Sequence, residues 1–125
     1  MLETRFSFEQ LEVWKEARRL VVDTYKLVRN FPKEEKYAMG DQIRRAVVSV
    51  PSNIAEGSGR TSLKEKMHFV EIAYGSLMEV YCQLQLAVDL DFIKETDLLN
   101  LKPKIFSVSR MLIGLRASFR RQLTS

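Results

Sequence analysis

The chain has 125 residues, 46% apolar and 29% charged, which is long enough to bury a core without metal or disulfide support and too balanced for a disordered or membrane-spanning chain. Its 20 Lys and Arg against 16 Asp and Glu give a formal charge of +4, which permits contact with an acidic polymer without requiring it. The N-terminal stretch MLETRFSFEQ has no continuous apolar run and no small-residue cleavage site, so no secretory signal is expected and the expected compartment is the cytoplasm.

Four helical segments are predicted, with a single domain over 1–125. The first starts at Ser7, capping near Gln10 in a Ser-x-x-Gln box, and carries Leu11, Trp14, Ala17, Val21, Tyr25 and Val28 at helical spacing up to Phe31-Pro32. The second runs from about Lys33 to Ser58, with Glu34 and Glu35 in its first turn and Gly57 and Gly59 as stops. Met39, Ile43, Ala46 or Val47, Val50 and Ile54 form its buried face. Gln42, Arg45, Ser49, Asn53 and Glu56 lie on a neighbouring face, and Val48 and Ala55 leave so little polar circumference that this helix is expected to be covered on most sides.

Pro51 removes a backbone donor and presses on the Val47 carbonyl, so a bend is expected there. Ser49, Ser52 and Asn53 are placed to satisfy the freed group locally; ligand binding is the alternative. The adjacent Arg44 and Arg45 point about 100° apart and must have different roles. Arg45 aligns with Ser49, Asn53 and Glu56 and is assigned to an internal or inter-subunit polar network with Glu56 or Glu79 as counter-ion. Arg44 is expected to be more exposed or to touch a neighbouring chain.

The third segment opens on a Ser62–Glu65 capping box and carries Leu63, Met67, Val70, Tyr74, Leu77, Tyr81, Leu84 and Val88 as a heptad-like seam. Ala73, Gly75 and Ser76 predict a tight helix crossing, because a helical glycine otherwise costs about 1 kcal/mol relative to alanine. Cys82, the one cysteine, sits among Leu77, Val80, Tyr81 and Leu84 and reads as a small buried apolar residue rather than a reactive thiolate. In the fourth segment Thr96 is the expected cap and Leu98, Leu101, Ile105, Val108, Leu112, Leu115 and Phe119 the inner face. Pro103 either bends that helix or marks its start near Lys102.

Charge is unevenly spread. Glu65, Glu71, Glu79, Asp89, Asp91 and Glu95 make the third segment and the turn after it acidic, whereas Lys102, Lys104, Arg110, Arg116, Arg120 and Arg121 make the fourth basic. Helical rotation groups Lys102, Arg116 and Arg120, with Arg110 and Arg121 beside them and opposite the apolar seam. This ridge either solvates an outer face or binds nucleic acid, and no aromatic with a basic neighbour is evident as a stacking platform. His68, the sole histidine, is expected to be exposed. EGSGRTS lacks the Gly-Lys-Ser/Thr ending of a phosphate loop and follows a helix rather than a strand. No triad or metal-ligand spacing occurs, so no enzyme, cofactor or metal is expected.

Short connections between four amphipathic segments predict an all-α, antiparallel up-down-up-down four-helix bundle. The run QIRRAVVSVPSNIAEG (Gln42 to Gly57), together with LEVWKEA, FPKEE and IAYGSLME, resembles the four-helix-bundle proteins encoded within 23S rRNA intervening sequences over nearly the whole chain. The resemblance implies self-association into a homopentameric ring. It also places the Ala73–Ser76 signature against the Asn53–Gly57 end of the second helix, with Ser76 and Glu79 closing the polar network. RNA is the partner implied by the family's setting. A more distant similarity to accessory proteins of diversity-generating retroelements implies, as the alternative, a scaffold or subunit of a reverse-transcriptase complex without its own RNA specificity. A small-molecule-binding bundle would need a polar-lined pocket near Ser49 and Asn53.

Overall fold

The computed structural model describes residues 4–125; the first three residues of the N-terminal stretch lie outside the described residues. Four α-helices follow in order: α1 (Glu12–Val28), α2 (Met39–Ser58), α3 (Leu63–Asp89) and α4 (Glu95–Thr124). α2 packs most extensively on α3, α3 on α4, and α1 on both α2 and α4. The register is antiparallel: along α2 and α3, Gly57 meets Phe69, Ser49 meets Ser76 and Gln42 meets Gln83. Arg116 to Glu71 and Lys102 to Tyr81 give the same sense for α4 on α3, as do Ser58 to Ser7 and Gly40 to Val28 for α2 on the first helical region. The all-α four-helix bundle is therefore present.

Leu20, Ile43, Leu77, Leu84 and Leu112 are fully buried, and the other core side chains of all four helices join them in one cluster. The α2 face is the one expected from its spacing, with Ile43, Ala46, Val47, Val50 and Ile54 inside. In α1 the buried set is Val13, Ala17, Leu20, Thr24 and Val28, which leaves Trp14 and Val21 at the edge and Tyr25 exposed. In α3, Ala73, Val80 and Ala87 are buried, while Tyr74, Tyr81 and Val88 of the expected seam lie at its margin. Small residues let α3 sit close to its neighbours, and the tyrosines keep their polar ends near water.

Several helix boundaries differ from the sequence expectation. Ser7–Gln10 forms a separate 3-10 turn in which the Glu9 carboxylate accepts the Phe6 N–H at 2.9 Å, and α1 begins only after Leu11. Phe8 packs edge-on against Trp14 at 5.0 Å, holding that turn on α1. Lys33–Glu35 is a second short 3-10 turn, and the Ala38 backbone (φ −116°, ψ −97°) breaks the path into α2, so Asp41 rather than Glu34 or Glu35 occupies the first turn. The Ser62 hydroxyl accepts the Glu65 N–H at 3.0 Å, which is half of the expected capping box; the Glu65 carboxylate lies toward Arg60 instead of closing the other half. Thr96 does not cap α4; the Asp97 carboxylate accepts the Lys94 N–H at 3.1 Å instead. Because α4 begins at Glu95, Pro103 lies inside the helix and not at its start.

Gly57 is part of α2, not a stop. A Cβ there would lie 2.7 Å from the Cβ of Phe69, so its hydrogen lets α3 approach. Gly75, expected at a tight crossing, is exposed and has nothing within 4 Å of a Cβ position; within the chain the close approaches occur at Gly57 and at Gly40, beside Val28. Cys82 is exposed, not buried, because Val80 and Leu84 take the inward positions.

Candidate functional site

Two surfaces gather the residues singled out by the sequence. On the first, between α2 and α3, the Ser49 and Ser76 hydroxyls are 2.8 Å apart, and Asn53 donates its amide to both the Ser49 carbonyl and hydroxyl at 2.8 Å. Helical spacing of four residues puts Asn53 above Ser49, and the antiparallel register brings Ser76 opposite. α2 continues through Pro51, and the expected local partner for the Val47 carbonyl is not found: Asn53 donates to Ser49, and no side chain of Ser49, Ser52 or Asn53 bonds the Val47 carbonyl among the described residues. Two helical turns farther along α3, the Gln83 amide reaches Gln42 at 3.3 Å and Glu79 at 3.2 Å. Gln83 was missed in the sequence; its position four residues after Glu79 on the α2-facing side was the available signal.

The remaining members of that set diverge. Glu56 pairs with Arg60 at 3.3 Å, and Arg45 is exposed with no partner among the described residues. The arginines thus exchange their expected positions within the chain. Arg44 is the half-buried one, bonded to Asp41 and the Lys36 carbonyl and lying over the Tyr25 ring at 5.9 Å. The break in the helix before Met39 exposes the Lys36 carbonyl that Arg44 uses. α2 is also less covered than its apolar content suggested, since Gln42, Arg45, Val48, Ser52 and Glu56 face outward. An open groove beside Arg45 and Ser49 includes Tyr25, Asp41, Arg44 and Val48, and Asn53 does not line it.

The second surface lies along α3 and α4. Arg116 bonds Glu71 through its Nε at 2.6 Å, and Lys102 sits 5.7 Å from the Tyr81 ring centre. Arg110 lies 5.8 Å from the centre of Phe106, whose side chain is 58% exposed. A groove of about 400 Å³ contains Tyr74, Ile113, Arg116 and Arg120, and a second of about 230 Å³ contains Tyr74, Tyr81, Lys102 and Phe106. Lys102, Arg116 and Arg120 therefore flank an apolar groove rather than standing opposite the apolar seam. Arg121 is exposed, and neither its side chain nor that of Arg120 has a partner among the described residues. The Tyr81–Lys102 pair meets only across two helices and was not evident in the sequence, whereas Phe106 and Arg110 lie four residues apart on α4, a basic neighbour to an aromatic ring that the sequence reading passed over.

Among the described residues no group of three or more His, Cys, Asp or Glu side chains could hold a metal ion, and no helix is long and apolar enough to cross a membrane. His68 is exposed beside Phe69, in the position its neighbours indicated.

The sequence pattern described as "23S rRNA-intervening sequence protein" matches residues 9–114. No curated protein matches the chain. Among solved structures, the crystal structure of a protein of unknown function from the S23 ribosomal protein family of Bacteroides thetaiotaomicron is 20% identical. The match covers 83% of this chain and 97% of that one with a TM-score of 0.75, which establishes the common fold. With a pattern spanning most of the sequence and the corresponding four-helix bundle in place, the chain belongs to the 23S rRNA-intervening sequence protein family.

Proposed function

We propose that this protein is a non-enzymatic, cytoplasmic assembly module whose single domain closes into a homopentamer through its α2/α3 face and engages structured RNA through the basic side of α4. The observation that carries the assembly reading is Arg45, exposed and unpartnered among the described residues beside the Ser49–Asn53–Ser76 hydrogen-bonded group. An unpartnered guanidinium beside a polar seam is an effective recognition element for a carboxylate or carbonyl of a second chain. Glu79 and Glu56 on the same side supply carboxylates for neighbouring copies. A five-fold ring needs two different patches on each chain, and this face is one of them.

The RNA reading draws on the family's description and on Lys102, Arg110, Arg116, Arg120 and Arg121 along α4. A ring would repeat this basic edge, so weak phosphate contacts would add by multivalency without base-specific recognition. Filter binding across a salt series tests it. Replacing Arg116, Arg120 and Arg121 together with glutamine should weaken retention and flatten the salt dependence while preserving assembly; unchanged retention would reject this surface. The alternative, a protein-binding scaffold or accessory subunit of a reverse-transcriptase complex, is favoured by the exposed Leu86, Leu90 and Leu99 near the α3–α4 connection. Under that alternative the wild-type protein would retain no RNA at low salt.

A further inference from the structure

We infer that the α3/α4 groove is a site for an unpaired stretch of that structured RNA, with bases stacking on Phe106 and the neighbouring tyrosines and phosphates held by the flanking cations. This rests on the RNA reading above and specifies the form of RNA bound. Along one side of α4, basic and apolar residues recur at intervals of three or four, with an apolar one between most of the basic ones: Lys102, Phe106, Arg110, Ile113, Arg116 and Arg120. The stretch from Lys102 to Arg120 extends for about 27 Å, enough for several nucleotides of an extended strand. Tyr74 lines both grooves, so they adjoin at that ring and together make the track.

Charge identifies the occupant. Lys102, Arg116 and Arg120 line the grooves and Arg110 stands beside Phe106, against one lining carboxylate, Glu71, which is paired with Arg116. A wholly apolar partner would have to strip water from those cations without replacing their bonds, whereas a polyanion neutralises them and releases counter-ions. The rings determine which polyanion fits. Phe106 presents a largely uncovered face with Arg110 at its side, and Lys102 is similarly placed at Tyr81. Bases can stack on such surfaces only when splayed from a strand; in an A-form duplex their faces are already occupied.

The test uses the assembled 125-residue protein, a fluorescent eight-nucleotide oligouridylate and a fully paired RNA duplex of equal length. The strand should bind more tightly than the duplex. Phe106→Ala should weaken strand binding about tenfold, with the salt slope and the mass by light scattering unchanged, and Phe106→Tyr should restore affinity. Lys102→Gln with Arg110→Gln should flatten the salt slope for the strand. Equal strand affinity for wild type and Phe106→Ala would overturn stacking while leaving the ridge reading intact if the arginine triple variant still binds less. A fall in assembled mass on Phe106→Ala with unchanged strand affinity would assign this face to a second copy of the chain and overturn the inference. Failure of the wild type to bind either probe at low salt would overturn both readings.

Discussion

Arg44 and Arg45 illustrate what residue spacing can and cannot determine. Their divergence follows from helical geometry alone, but the inward member is chosen by the open Lys36 carbonyl and by Asp41, both products of the irregular path before α2. Glycines give a similar contrast. Gly57→Ala places a methyl group against Phe69 near its backbone, where only a shift of α3 relieves the clash; it should destabilise by about 1–3 kcal/mol. Gly75→Ala meets open space and should stabilise the dissociated chain by about 0.5–1 kcal/mol through helix propensity. Urea unfolding of the two variants checks both signs. The hydroxyl of fully buried Thr24 has no hydrogen-bond partner among the described residues. Replacing Thr24 with valine removes an unsatisfied group at nearly constant shape, so the same measurement should show no loss and up to about 1 kcal/mol of gain.

At the scale of helices, the four segments were legible because apolar residues recur at helical intervals through each, and the bundle followed from their short connections. The boundaries were less so. A Ser-x-x-Gln match at Ser7 indicates capping chemistry, but Glu9 supplies the local bond and the chain forms a 3-10 turn. Similarly, Thr96 has a capping side chain, yet Asp97 closes the turn from within α4. Ser62→Ala should therefore cost about 1 kcal/mol by removing the acceptor for the Glu65 amide, whereas Thr96→Ala should leave denaturant stability nearly unchanged. Equal losses would contradict these assignments. The α3 seam was half-legible: its inward direction follows from periodicity, but a heptad pattern does not reveal that two unequal neighbours rotate Ala73, Val80 and Ala87 inward and leave Tyr74 and Tyr81 at the edge. That rotation creates the aromatic margin of the α3/α4 track, which is why this part of the candidate site was hidden in the sequence.

At the scale of the whole molecule, the acidic excess of α3 and basic excess of α4 were visible in the charge distribution, but which surfaces face another molecule depends on three-dimensional neighbours. Alignment with Ser49 and Asn53 assigned Arg45 to a polar network in the sequence, but the structure leaves it exposed and without a partner among the described residues. Arg45→Ala should consequently reduce the assembled fraction while leaving the unfolding free energy of the dissociated chain within about 0.5 kcal/mol of wild type. Arg19→Ala, which removes only a surface pair with Glu16, should change neither quantity appreciably. Comparable losses of assembly in both variants would remove Arg45 from the interface. The most direct measurement of the central claim is light scattering coupled to size exclusion on the wild-type protein: a particle of five 14.6 kDa chains, persistent across micromolar concentrations, is predicted, and a particle of one chain throughout that range would contradict it.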